Sequence, residues 1–185
     1  MNLFFLDLDP KKCAEYHCDK HVVKMILEII QMLYTAHNVL KTKNLPTGSY
    51  RSFNPHHPTA VWIRLCDENY TYACEVAFYL CEEYRFRYNR IHSCEKHLNW
   101  LINNKPTFIH VEEPYKNSKK QVYLSHLSDK YTPVPLAMPE DSIRKLTINS
   151  YRSYYNIHKK RFTTWTNRPT PPWFTPIQIQ LFFKN

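Results

Sequence analysis

Seven residues recur through an otherwise apolar stretch: Cys13, His17, His21, Lys24, Glu28, Gln31 and Thr35, at intervals of 4, 4, 3, 4, 3 and 4. On a helix turning roughly 100° per residue, this spacing holds all seven side chains within an arc of roughly 80°. The remaining circumference is Val, Met, Ile, Leu and Tyr, and ten of the thirteen residues in 22–34 are apolar. A surface helix carries a broad polar face. A helix this apolar is buried, and buried ionisable groups are costly unless they are paired or used. The stripe therefore reads as the floor of a functional cleft. The competing reading is a thin solvent-facing line in which Lys24 and Glu28 form an i,i+4 ion pair.

The rest of the chain bounds what such a cleft acts on. A length of 185 residues suits one domain with a sizeable core. A formal charge of +9 and a pI near 9.2 favour a polyanionic partner, most simply DNA. One Gly against thirteen Pro excludes the Gly-rich phosphate loops of the commonest nucleotide-binding enzymes. No cofactor is implied. No signal peptide is visible and no apolar run reaches membrane-spanning length, so a cytoplasmic protein without a membrane partner is expected, in the host cytoplasm if it is viral. The six Cys then read as free thiols in a reducing compartment.

The expected fold is mainly α: a compact single-domain helical fold over 1–174, with long irregular loops, followed by a Pro- and aromatic-rich C-terminal tail peptide over 175–185. Asp9-Pro10 is a helix start, and the first helix is expected to run to about residue 40 with a bend near Asp19. A second helical region spans 59–88, with a fresh start at Asp67 after a break at Cys66. Ser93 is expected to cap a third helix over 94–103. Residues 105–141 lack periodicity and read as a long irregular loop, extended at Pro133-Val134-Pro135. A fourth helix is expected over 148–161.

Three constellations carry chemistry. Within the stripe, His21, Lys24 and Glu28 suit acid/base and electrostatic work, with Glu28 in proton transfer and Lys24 as phosphate contact or amine nucleophile. Cys13, His17 and His21 share a face at metal-ligand spacing, the alternative being a metal-dependent hydrolase. Basic groups interleaved with aromatics suit phosphate neutralisation plus base stacking. They are Arg152, Tyr155, Lys159, Lys160, Arg161, Trp165 and Arg168, with Lys20, Arg51, His56, His57 and Arg64 upstream. The same C-terminal run also fits an amphipathic helix packed through its Tyr residues. Finally, Gln178-Ile179-Gln180-Leu181-Phe182 resembles the Gln-Leu-x-Leu-Phe peptide that docks in bacterial sliding clamps. Gln178 would hydrogen-bond there while Leu181 and Phe182 fill a pocket.

Asp19-Lys20-His21, with Glu28 seven residues after the His, resembles the N-terminal helix of the phage-type pyrimidine-dimer DNA glycosylases. His57-Pro58 leading into a long helix and the aromatic, basic C-terminal region occupy similar places. The chain also looks like phage and viral proteins that share Cys-Asp-Lys-His-Val-Val-Lys-Met near their start. The resemblance implies a compact helical enzyme of base-excision repair or base modification. An α-amine would attack the sugar C1′, an imine would form, and Glu28 would assist ring opening and β-elimination. The bulky Asn2 implies a retained initiator, so the amine would belong to Met1. Leu27 and Gln31 flank Glu28 here where the family carries Arg, and Lys20 and Lys24 supply charge instead. The non-enzymatic alternative is a DNA-binding accessory protein tethered to the sliding clamp.

Overall fold

A computed structural model describes residues 2–176; Met1, Gln178, Leu181 and Phe182 lie outside the described residues. The fold is mainly helical, as expected. In chain order come α1 (Pro10–Tyr16), α2 (Asp19–Val39), α3 (Pro58–Ile63), α4 (Asp67–Tyr88), α5 (Leu98–Asn103) and α6 (Thr147–Tyr154). The only sheet among the described residues pairs β1 (Leu124–Ser125) with β2 (Val134–Pro135), antiparallel, inside the otherwise irregular 105–141 segment. The third helix begins later than expected: Cys94 precedes a short 3-10 turn, Glu95–His97, and Ser93 caps nothing. The last helix departs from α geometry after Tyr154, passing through a π turn, Tyr155–Lys159, into a 3-10 turn, Lys160–Phe162.

The core is organised around an extended segment, residues 2–6, which is buried along its whole length. Its side chains key into four helices. Phe4 stacks on His21 of α2 with ring centroids 4.5 Å apart. Phe5 meets Trp62 of α3 at 5.1 Å, and Tyr72 of α4 and Tyr151 of α6 at 5.4 Å each. Four apolar side chains on one extended stretch thus tie the helices to a common centre, and burial of each is worth about 1.5–3 kcal/mol.

The first helical region is broken rather than bent. His17 (ψ 133°) and Cys18 (ψ 160°) are both extended between α1 and α2. Arg87, from the end of α4, fills the break. Its guanidinium donates to the carbonyls of His17 and Glu15, both at 2.9 Å, and pairs with Asp19 at 3.0 Å and Glu83 at 2.9 Å. A cation thus sits on the last carbonyls of α1 while an acid occupies the first turn of α2, and both placements suit the helix dipoles. Burial raises the Asp19 pKa, but hydrogen bonds from Thr166 and Arg87 outweigh it and hold the carboxyl below its usual value.

With one glycine in the chain, other residues take the left-handed turns. Asn44, Asn54, Asn89 and Asn167 have φ between 47° and 59°, and Asn89 ends α4 this way. Arg87→Met is expected to leave two helix-end carbonyls without their donor and Glu83 with Arg168 alone, at a cost of about 3–5 kcal/mol in total. Calorimetry should show a melting point lower by roughly 10 °C; a shift under 2 °C would mean that the break does not depend on Arg87.

Candidate functional site around Glu28

Most of the stripe is covered by the chain itself. Residues 2–6 lie along it in the opposite direction, so Cys13, His21 and Glu28 meet Phe4 and Asn2 in reverse order. Cys13 Sγ donates to the Phe4 carbonyl at 3.1 Å and lies 3.4 Å from the Leu6 amide, which donates to it. His17 Nδ1 donates to the Cys13 carbonyl at 2.7 Å, which leaves its buried Nε2 as an acceptor with no hydrogen-bond partner. His21 packs between Phe4 and Phe162, and its Nδ1 shares a hydrogen bond with the Tyr155 hydroxyl at 2.5 Å. Burial pushes the Tyr155 pKa well up, so that hydroxyl keeps its proton.

At the far end of the segment the stripe reaches Glu28, which is buried. Its Oε2 accepts the backbone N–H of Asn2 at 2.8 Å, and its Oε1 lies 3.3 Å from Lys24 Nζ. The Lys24 side chain is 68 % exposed against 10 % for Glu28, so the ion pair runs from solvent inward. The Asn2 side chain is fixed on both polar atoms. Its Oδ1 accepts from Leu3 N at 2.9 Å and from the Thr59 and Tyr151 hydroxyls at 3.4 Å, and its Nδ2 donates to the Ala137 carbonyl at 3.0 Å. His57 caps α3 and stands near enough to feel the Glu28 charge: burial lowers its pKa and Glu28 opposes the shift. Beyond Glu28, buried Thr35 accepts the Phe53 amide at 3.0 Å and closes the stripe against a loop.

The expected cleft floor is therefore a buried seam with an open end at Lys24 and Glu28. Local sequence misses Asn2, whose signal was a lone polar residue ahead of an apolar run, and Arg87, whose partners lie some 70 residues away.

The metal alternative does not form. The break at Cys18 takes Cys13 and His17 out of register with His21, and Cys13 and His17 bond to backbone. Among the described residues no group of three His, Cys, Asp or Glu side chains is disposed to hold an ion.

The predicted nucleic-acid contacts divide into two sets. Four belong to the interior instead. Arg152 donates to the Leu6 carbonyl and pairs with Asp7 at 3.1 Å. Arg168 pairs with Glu83 and Glu15. Trp165 donates to the Tyr16 carbonyl at 3.0 Å, and Tyr155 is buried on His21. Their periodicity reports packing, because each polar tip satisfies a buried group. The other set faces outward: Lys20, Arg51, His56 and Arg161 are exposed, while His57, Arg64, Lys159 and Lys160 are half-buried. Lys20 and Lys159 lie over the rings of Phe162 (5.1 Å) and Tyr154 (4.5 Å). No family model, curated protein or solved structure matches the chain.

Burial, first of all, lowers the His17 pKa to about 4 and that of His21 to about 3. Both rings are neutral in the fold but take a proton in the unfolded chain below about 6.5. The unfolded state then binds more protons, so stability holds above that pH and falls below it. Urea titrations between pH 6 and 5 are expected to lose up to about 1.4 kcal/mol per pH unit per imidazole. A His17→Gln, His21→Gln pair should flatten this slope; an unchanged slope would mean that the imidazoles are solvated.

Proposed function

We propose that the chain is a DNA-acting enzyme of the glycosylase and abasic-site lyase kind, with its chemistry at Glu28. The observation that carries this reading is the hydrogen bond from the Asn2 amide to the buried Glu28 carboxylate, 2.8 Å long. A carboxylate held against the start of a rigid segment is suited to serve an α-amine there. The amine expected from the sequence is that of Met1, which lies outside the described residues.

The amine lone pair forms a bond to the sugar C1′ as the bond from C1′ to the base breaks, and the base leaves with the electron pair. The Glu28 carboxylate takes the extra proton from the nitrogen once it has bonded to C1′ and passes it to O4′ as the sugar ring opens, which leaves a protonated imine between C1′ and the amine. Removal of a C2′ proton then expels the 3′ phosphate by β-elimination. Lys24 stands on the solvent side, where it contacts a phosphate. His21, neutral and buried, keeps Phe4 and hence the segment in place rather than moving protons. Lys20, Lys159, Lys160 and Arg161 neutralise the backbone.

Borohydride reduction on duplex DNA carrying an abasic site should trap a covalent protein–DNA species. Glu28→Gln is expected to lower trapping at least about 100-fold while leaving DNA affinity in place, and two residues added ahead of Met1 should abolish it. If the wild-type chain traps neither abasic nor dimer-bearing DNA, the lyase reading is lost. Salt-sensitive binding without trapping, together with clamp affinity through Gln178, Leu181 and Phe182, would instead support the accessory-protein reading.

A further inference from the structure

The loop that closes the stripe beyond Glu28 has an unusual composition and an inverted arrangement. Residues 40–66 contain no Asp or Glu, but include Lys41, Lys43, Arg51, His56, His57 and Arg64. Where this stretch meets α2, Thr35 is the buried partner and Phe53 the outward one. The Phe53 ring is 50 % exposed and is flanked by exposed Arg51, Ser52, Asn54 and His56. An exposed phenyl ring alone is common. This one differs in being held on a fixed backbone.

Phe53 N–H donates to Thr35 Oγ1 at 3.0 Å, and that hydroxyl donates to the Gln31 carbonyl at 2.7 Å. Asn38 Nδ2 donates to the Tyr50 carbonyl at 3.1 Å. Asn54 adopts φ 47°, and the His57 amide closes the turn on the Asn54 carbonyl at 2.9 Å. Two residues later Thr59 reaches Asn2. Residues 53–57 thus run along the stripe from Thr35 toward Glu28. Those two α2 positions are seven residues apart, or roughly 10 Å along the helix axis, which is about three nucleotide steps.

We propose that Phe53 is a base-stacking residue of the DNA interface, its ring lying against a base within three nucleotides of the one presented at Glu28. Enzymes that draw a nucleotide out of a duplex must support the disrupted stack, and apolar side chains inserted between base steps commonly do so. Here the ring projects from an acid-free, cationic rim, and Arg51 and His56 beside it meet the phosphates. This inference rests on the DNA reading of the Glu28 site.

The test is fluorescence anisotropy with the full chain on duplex DNA carrying an abasic-site analogue, across a salt series. Phe53→Ala should weaken binding roughly 5- to 100-fold, and Phe53→Trp should restore it. Stacking carries no charge, so the slope of log K against log salt should not change with Phe53→Ala, whereas Arg51→Ala should reduce it by about one. With 2-aminopurine placed one to three nucleotides from the analogue, wild type and Phe53→Ala should differ in emission at one position at least. Wild-type binding with Phe53→Ala within twofold of it, or emission alike at all positions, overturns the role of Phe53 and leaves the Glu28 reading standing. A wild-type chain that does not bind DNA overturns both. An equal melting point for Phe53→Ala is the check that its fold is intact.

Discussion

An extended segment buried away from any sheet must find partners for its backbone, and that requirement shapes the molecule. Among the described residues no strand pairs with residues 2–6, and they are buried. Buried amides and carbonyls without partners cost as much as lost hydrogen bonds. Side chains take the place of a neighbouring strand: Glu28 at the Asn2 amide, Cys13 at the Phe4 carbonyl and the Leu6 amide, Arg152 at the Leu6 carbonyl, Tyr72 at the Asp7 carbonyl. The polar stripe of α1 and α2 supplies two of these partners, Cys13 and Glu28, and its His17 and His21 lie against Phe4 between them. Its narrowness follows, because a single extended chain is little wider than a row of side chains, and the flanks must stay apolar to pack Phe4 and Phe5.

The same requirement separates Glu28 from the other stripe residues. A neutral thiol or imidazole is enough to satisfy an amide or carbonyl inside a core. A carboxylate on one backbone N–H is a stronger partner than the amide needs, and it retains acceptor capacity that Lys24 engages from solvent. Cys13, His17 and His21 are explained by the fold alone. Glu28 is a charge at the end of a rigid segment, paired with the Asn2 amide and with Lys24, and that position is what the proposed chemistry uses. The fixing of Asn2 on both side-chain atoms points the same way, since a group that must meet a sugar carbon gains from being held in one geometry before the substrate arrives.

Much of this was legible from local rules. Asp9-Pro10, the break at Cys66 and the extended Val134–Pro135 strand follow from capping and proline geometry and appear in the fold. The burial of the helix was legible, because apolar residues on both flanks left no other place for it, but the stripe expected to floor a cleft is a seam covered by the chain itself. What covers it was not legible, since periodicity describes one helix and is silent on its partner. The bend expected near Asp19 is a full break at His17 and Cys18, and that was hidden because the cation that favours it comes from Arg87. Arg152 and Arg168 misled for a related reason. In sequence, an Arg between aromatics looks the same whether its guanidinium meets a phosphate or an internal carboxylate.

That distinction sorts the cations. Arg87, Arg152 and Arg168 bridge carboxylates and carbonyls inside the fold, where a planar fork satisfies several acceptors at once. Lys20, Lys24 and Lys159 stay near the mouth, and two of them rest on aromatic rings. With these Arg paired to carboxylates within the fold, much of the positive charge left toward solvent is ammonium. Ammonium groups attract a phosphate backbone without reading it, so this field positions a polyanion but does not select a sequence. Discrimination must then arise where the surface has shape as well as charge, at the short rim between Thr35 and Glu28. On the DNA reading proposed above, such a protein would recognise a nucleic acid by how easily it deforms over that rim, and only weakly by the order of its bases.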